Sequence, residues 1–144
     1  MHKQFRLVPA SSPPDVEKLL RRIKDAGVNL AGAGGSNVEF GGEFAFAVDD
    51  GQEDDTERVL KQHGYRYRLF DHDDHPELTV CWIENRPGAL HECVAGVAAA
   101  NLEKGRIIRD ILVGIDGDKG IAAQVFSEEV RTPASIEDAG ATGA

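Results

Sequence analysis

Two cysteines, one methionine, one tryptophan and a 6% share of aromatic residues leave this 144-residue chain short of sulfur and of large rigid side chains. Cys81 and Cys93 are too few for a disulfide framework, and they are expected to be reduced, small core residues of an intracellular protein. No apolar run approaches the roughly 20 residues of a membrane span. Met1-His2-Lys3-Gln4-Phe5 lacks the apolar stretch of a signal peptide, so a cytoplasmic location is expected. Basic residues are scarce as well: 16 Lys and Arg stand against 25 Asp and Glu, a net charge of -9. With no basic stripe, nucleic acid and anionic membranes are poor partners.

What is present is hydrophobic periodicity. Lys3 to Val8 has the alternation of a strand, and Ser11-Ser12-Pro13-Pro14-Asp15 combines a serine cap, first-turn prolines and an acid as a helix start. Val16, Leu19, Leu20, Ile23 and Ala26 then mark one helix face, with Gly27 as its stop. Val28 to Phe40 reads as an extended segment broken by glycine, and Gly41-Gly42 as a hairpin turn into the alternating Phe44, Phe46 and Val48. The acidic run from Asp49 to Asp55 opens a second helix that ends at Gly64, and Tyr65 to Phe70 reads as an edge strand. The order is βαββαβ.

After the polar, proline-ended Asp71-His72-Asp73-Asp74-His75-Pro76, which reads as a linker, the order restarts. Leu78 to Ile83 is strand-like. Leu90, Cys93, Val94, Val97 and Ala100 recur at helical spacing, with Asn101 as the expected stop. Arg106 to Ile115 and Ile121 to Phe126 form two further strands around the Asp116 to Gly120 turn. Laying Pro13 on Pro87, 74 residues later, brings Val16 onto Leu90, Leu19 onto Cys93, Leu20 onto Val94 and Ile23 onto Val97. Coincidence of every inward position argues for an internal duplication. Too few residues follow Phe126 for a full second copy. Its open sheet edge would be a liability unless the first copy or a partner chain covers it.

Between the second copy's first strand and helix lies Asn85-Arg86-Pro87-Gly88-Ala89-Leu90. A Pro-Gly turn there aims the helix's first N–H groups outward, where a carboxylate could dock; equally, it could only launch the helix. Asn-Arg-Pro-Gly-Ala-Leu in this setting resembles the first βα unit of the ACT domain, a ferredoxin-like regulatory module of amino-acid metabolism. The resemblance implies an α+β chain of two ferredoxin-like (βαββαβ) modules, each an antiparallel sheet with helices on one face, the second truncated. It implies repeats at 1–70 and 77–129, a linker at 71–76 and a flexible tail at 130–144. It further implies that Asn85, Arg86, Pro87, Gly88, Ala89 and Leu90 bind an amino acid or similar metabolite. Asn29 and Leu30, at the second strand of a neighbouring copy, would face them. Ser11 to Pro14 lacks the glycine and makes a doubtful second site.

Other chemistry is thinly signalled. Gly32-Ala33-Gly34-Gly35-Ser36 lacks the register and following helix of a phosphate loop and reads as a kinked strand. His72-Asp73-Asp74-His75 has metal-ligand types but linker placement, and Asp116-Gly117-Asp118 lacks the spaced ligands of a calcium loop. Cys93 and His91 point to different helix faces, Trp82 reads as core, and no triad or spaced carboxylate pair can be assembled. A non-catalytic regulatory binding protein is therefore expected, without cofactor or metal, as a homodimer and with a possible protein partner. The alternatives are a pure interaction module, favoured by the small residues Ala95, Ala98 and Ala99 on the helix, and, more remotely, a metalloenzyme using the linker histidines.

Overall fold

The structure is a computed structural model, and residues 1–7, 16–35 and 43–130 are described. Phe5 and Leu7 alternate with Gln4 and Arg6 in β1 (Lys3–Leu7), so one strand serves two interfaces. The order continues with α1 (Val16–Asp25), β2 (Leu30–Gly35), β3 (Phe44–Val48), α2 (Glu53–Gln62) and β4 (Tyr67–Asp71). The second half comprises β5 (Leu78–Ile83), α3 (Ala89–Lys104), β6 (Arg106–Ile115) and β7 (Ile121–Glu129). All strand pairs are antiparallel: one sheet runs β2-β3-β1-β4, the other β5-β7-β6. The second sheet thus repeats the β1-β3-β2 order of the first, and the fold is mixed α+β of the ferredoxin-like kind expected.

Two cores follow from the alternation. Phe5, Leu7, Phe44, Phe46 and Val48 pack beneath α1 and α2 against Leu19, Ile23 and Leu60. On the opposite faces, Ala47 and Phe70 meet Leu78, Val80, Leu112, Ala122 and Phe126 of the second sheet. The layers are therefore helices, sheet, sheet and α3. The facing sheets also share a buried polar seam. Gln4 Nε2 donates to Gln124 Oε1 (3.1 Å), and Gln124 Nε2 donates to the carbonyls of Met1 and Lys3. Arg6 lies 3.9 Å over the Phe126 ring and bridges Glu43 (2.6 Å) and Asp110 (2.5 Å). Burial works against its charge, but the hydrogen bonds it donates to Asp110 and Glu43 outweigh that and raise its pKa above the ordinary arginine value.

The segments expected to start α1 and to turn at Gly41-Gly42 lie outside the described residues, as does most of the tail. Elsewhere several expectations need correction. β2 begins at Leu30 rather than Val28, with a bulge between Leu30 and Gly32, and the expected continuation to Phe40 lies outside the described residues. The stretch 71–76, expected as a linker, is ordered as turns. His75 Nδ1 accepts from the Asp71 N–H, His72 Nδ1 from the Val80 N–H, and Asp71 caps the Asp73 N–H. Those imidazoles brace backbone. α3 does not stop at Asn101 but at Gly105, whose φ of 66° provides the left-handed C-terminal cap. Its buried face is Ala89, Val97 and Asn101, with Cys93 half-buried between them, while Leu90 and Ala100 are exposed. One helix covering three strands must lie over their middle, so it rotates relative to a helix that shares its sheet with a second.

Candidate functional site

β5 and α3 form the walls of the candidate site. The strand delivers Ile83 and Glu84 to the surface, and Asn85, Arg86, Pro87 and Gly88 turn the chain into the helix, all exposed. Gly88 sits at the helix cap with φ 85° and ψ −11°, a conformation that side chains with a Cβ resist, and nothing crowds its Cα. Arg86 N–H closes the turn on Glu84 O (2.9 Å), Ala89 N–H reaches Arg86 O (3.3 Å), and Glu92 N–H starts the helical ladder on Gly88 O. Among the described residues, the N–H groups of Gly88 and Leu90 find no backbone acceptor, as the first turn of a helix requires. Ala89 is buried and anchors the turn; Leu90 is half-exposed at its rim.

Charge on the loop is already internally matched. Arg86 bonds Glu92 (2.7 Å) and Glu84 (3.0 Å), and its Nη1, which also donates to Glu92, reaches the Pro87 carbonyl. Glu92, then Glu84, raise the pKa of Arg86, and the same bond lowers that of Glu92. Arg86 thus clamps the loop, leaving the backbone N–H groups as the available donors for an anion. An open hollow of about 390 Å³ lies beside them, lined by Cys81, Trp82, Ile83, Glu84, Arg86, Ala89, Glu92 and Cys93.

Asn29 and Leu30 do not line that hollow. The Asn29 amide donates to both Asp49 oxygens (3.1 Å each), its N–H bonds Gln52, and Leu30 packs on the first core. Within one chain, the two halves of the expected site are therefore not brought together.

Sequence reasoning missed what surrounds the loop. The cysteines are not reduced: Cys81 on β5 and Cys93 on α3 are bonded to each other, with Cα atoms 6.2 Å apart. The signal lies in the sequence, where both cysteines read as inward, one on each element flanking the turn. Trp82 is not core but 37% exposed. Its indole donates to Asp116 Oδ2 (2.5 Å), and Lys119 lies 5.1 Å over the ring. Asp116, nearly buried, also holds the N-terminal ammonium at 2.8 Å. Burial pushes its pKa up, but the ammonium and the indole more than offset that and keep it below the ordinary carboxylate value. Among the described residues, no three His, Cys, Asp or Glu side chains converge as a metal site. No described helix is long and apolar enough to cross a membrane.

No family model matches the chain, and no curated protein matches it. Solved structures do. Protein BT0572 from Bacteroides thetaiotaomicron superposes with a TM-score of 0.58 at 18% identity, covering 86% of this chain and 76% of that one. The regulatory subunit of aspartate kinase from Thermus thermophilus, in its ligand-free form, gives 0.52 at 14% identity, covering 95% of this chain and 85% of that one. At these identities the likeness is one of fold alone.

Proposed function

We propose that this chain is a tandem ACT-like regulatory protein, with repeats at 1–70 and 77–129 joined through 71–76. It reversibly binds an amino acid or similar small metabolite at a junction between repeats and performs no catalysis. The observation that carries the reading is the exposed Gly88 turn, with the Gly88 and Leu90 N–H groups unclaimed beside Asn85. A carboxylate accepts from such groups with the helix dipole in its favour. Because Asn29 and Leu30 lie away from the loop of their own chain, the strand facing the ligand comes from a second copy, which makes the working form a homodimer. Sensing at millimolar to micromolar levels needs only about 4 to 8 kcal/mol. N–H contacts to a carboxylate supply roughly 1.5 to 3 kcal/mol each.

Thermal unfolding against the twenty amino acids and a few branched-chain and aromatic precursors tests this. A ligand at a hundred times its dissociation constant adds about 2.7 kcal/mol, a rise of roughly 5 to 10 °C for a chain of this size. Proline at Gly88 is a poor probe, because φ 85° lies far from the proline value. Asn85→Ala removes the side-chain partner without straining the turn. Loss of the thermal shift in that variant supports the loop, and an undiminished shift refutes it.

A second reading rests on a separate observation. Ile107, Ile111, Val113 and Ile115 of β6 are 40 to 61% exposed, and Leu102 of α3 is 85% exposed. Such a strip suits an interaction module without a small ligand. A flat ligand panel from folded protein would favour it.

A further inference from the structure

Away from the loop, at the Leu7 end of β1, the two facing sheets leave a cleft of about 370 Å³. Four arginines from three strands reach it: Arg6 of β1, Arg68 of β4, and Arg106 and Arg109 of β6. That is a quarter of the 16 basic residues of a chain whose net charge is -9. Two of them are satisfied. Arg6 holds Glu43 and Asp110, while Arg109 spans the sheets to Glu128 (3.0 Å) and Glu43 (3.5 Å).

The other two have no carboxylate partner among the described residues, although Arg68 is exposed. Arg106 Nη1 is buried and has no hydrogen-bond partner among the described residues. A buried guanidinium N–H without an acceptor is costly, and arginine forks match carboxylates in geometry. Arg68 lies 4.7 Å over the Phe70 ring, and no carboxylate among the described residues pairs with it. Two carboxylates of the same lining, Glu77 and Glu129, likewise have no cationic partner among the described residues. Unmatched charges of both signs therefore face one hollow without meeting each other.

We infer that this inter-sheet cleft is a second ligand site, for a small zwitterion bearing one carboxylate and one ammonium. The carboxylate bridges Arg106 and Arg68, and the ammonium lies against Glu77 and Glu129. The lining carries four arginines and four glutamates, so a zwitterion leaves its charge balanced, whereas a phosphate-like dianion would add two uncompensated charges beside the glutamates. The Phe126 ring gives it a small apolar surface. The volume sits at the lower end of small-molecule sites, the scale of a single amino acid. The assignment does not depend on the loop at Gly88.

Two-dimensional amide NMR of the full chain, titrated with each free amino acid and then with the N-acetyl and amide forms of the hits, reads the site directly. The expected result is a free amino acid that shifts the resonances of Arg68, Arg106, Arg109 and Glu129 but not those of Asn85 to Leu90. Its blocked forms should bind at least tenfold more weakly, and Arg106→Gln or Arg68→Gln should weaken it about tenfold or more. Asn85→Ala should leave it unchanged. Shifts confined to the loop would overturn the cleft and support the loop. Equal binding of the N-acetyl forms, or of inorganic phosphate, would overturn the zwitterion. No titratable shift at the cleft for any amino acid would overturn the site whatever the loop does.

Discussion

Gly114 shows how much a single residue decides here. A Cβ built on it would lie 2.1 Å from the Ala31 carbonyl oxygen and 3.0 Å from the Gly32 Cα. β6 and β2 therefore approach backbone to backbone, with no flexible side chain available to yield. Gly114→Ala forces the sheets apart and is expected to cost about 3 kcal/mol or more, read as a lower urea midpoint. Gly96 is the matched control: it lies in α3 with open space around it, so Gly96→Ala should gain about 0.5 to 1 kcal/mol of helix propensity. Equal effects at both positions would refute the close approach. Gln4 and Arg6 belong to the same scale. Strand alternation by itself puts polar residues at such positions on the usual solvent face. They became buried because a second sheet, invisible to local pattern, covers that face and supplies Gln124, Asp110 and Phe126.

At the scale of elements, β5, the Gly88 turn and α3 form one unit stapled at its base. The Cys81–Cys93 bond spans 12 residues and encloses the turn. Cross-linking so short a loop stabilises by about 3 kcal/mol, chiefly by restricting the unfolded chain. Reduction with dithiothreitol, or the Cys81→Ala, Cys93→Ala pair, should therefore lower the melting temperature by roughly 6 to 12 °C. An unchanged melting curve under reduction would show that the thiols are not bonded in solution. Helix and strand existence was legible throughout the described chain, because the amphipathic spacings are strong in α1, α2 and the strands. Positions in α3 were less so. It is apolar nearly all round, with alanines on most faces, so hydrophobic spacing could not say which face turns inward. Asn101 likewise looked like a helix stop. It lies inside the helix because its amide finds Ser127 Oγ at 2.9 Å, a partner that only the neighbouring strand provides.

For the molecule as a whole, the unpaired side of β6 matters most. It is an edge strand of ten residues whose outer face carries Ile111, Val113 and Ile115, with α3 as the only described helix on that side of its sheet. Long apolar edges of this kind invite pairing with another chain. On the dimeric reading proposed above, Val113→Glu should convert dimer to monomer in light scattering at micromolar concentration while leaving circular dichroism intact. A wild-type protein that is monomeric under those conditions, or a variant that stays dimeric, would sink the dimer through this face.

The amino-acid sequence by itself determined the order of elements, the recurrence of one βαββ pattern and the turn at Gly88, because each is written in local spacing and backbone chemistry. Tertiary structure alone decided that the sheets meet face to face, that Cys81 reaches Cys93, and that Arg6, Arg68, Arg106 and Arg109 share one cleft. Those are juxtapositions of residues up to about a hundred positions apart. No period of 2 or 3.6 residues encodes them; they follow from which faces remain apolar once each sheet has been covered by its helices.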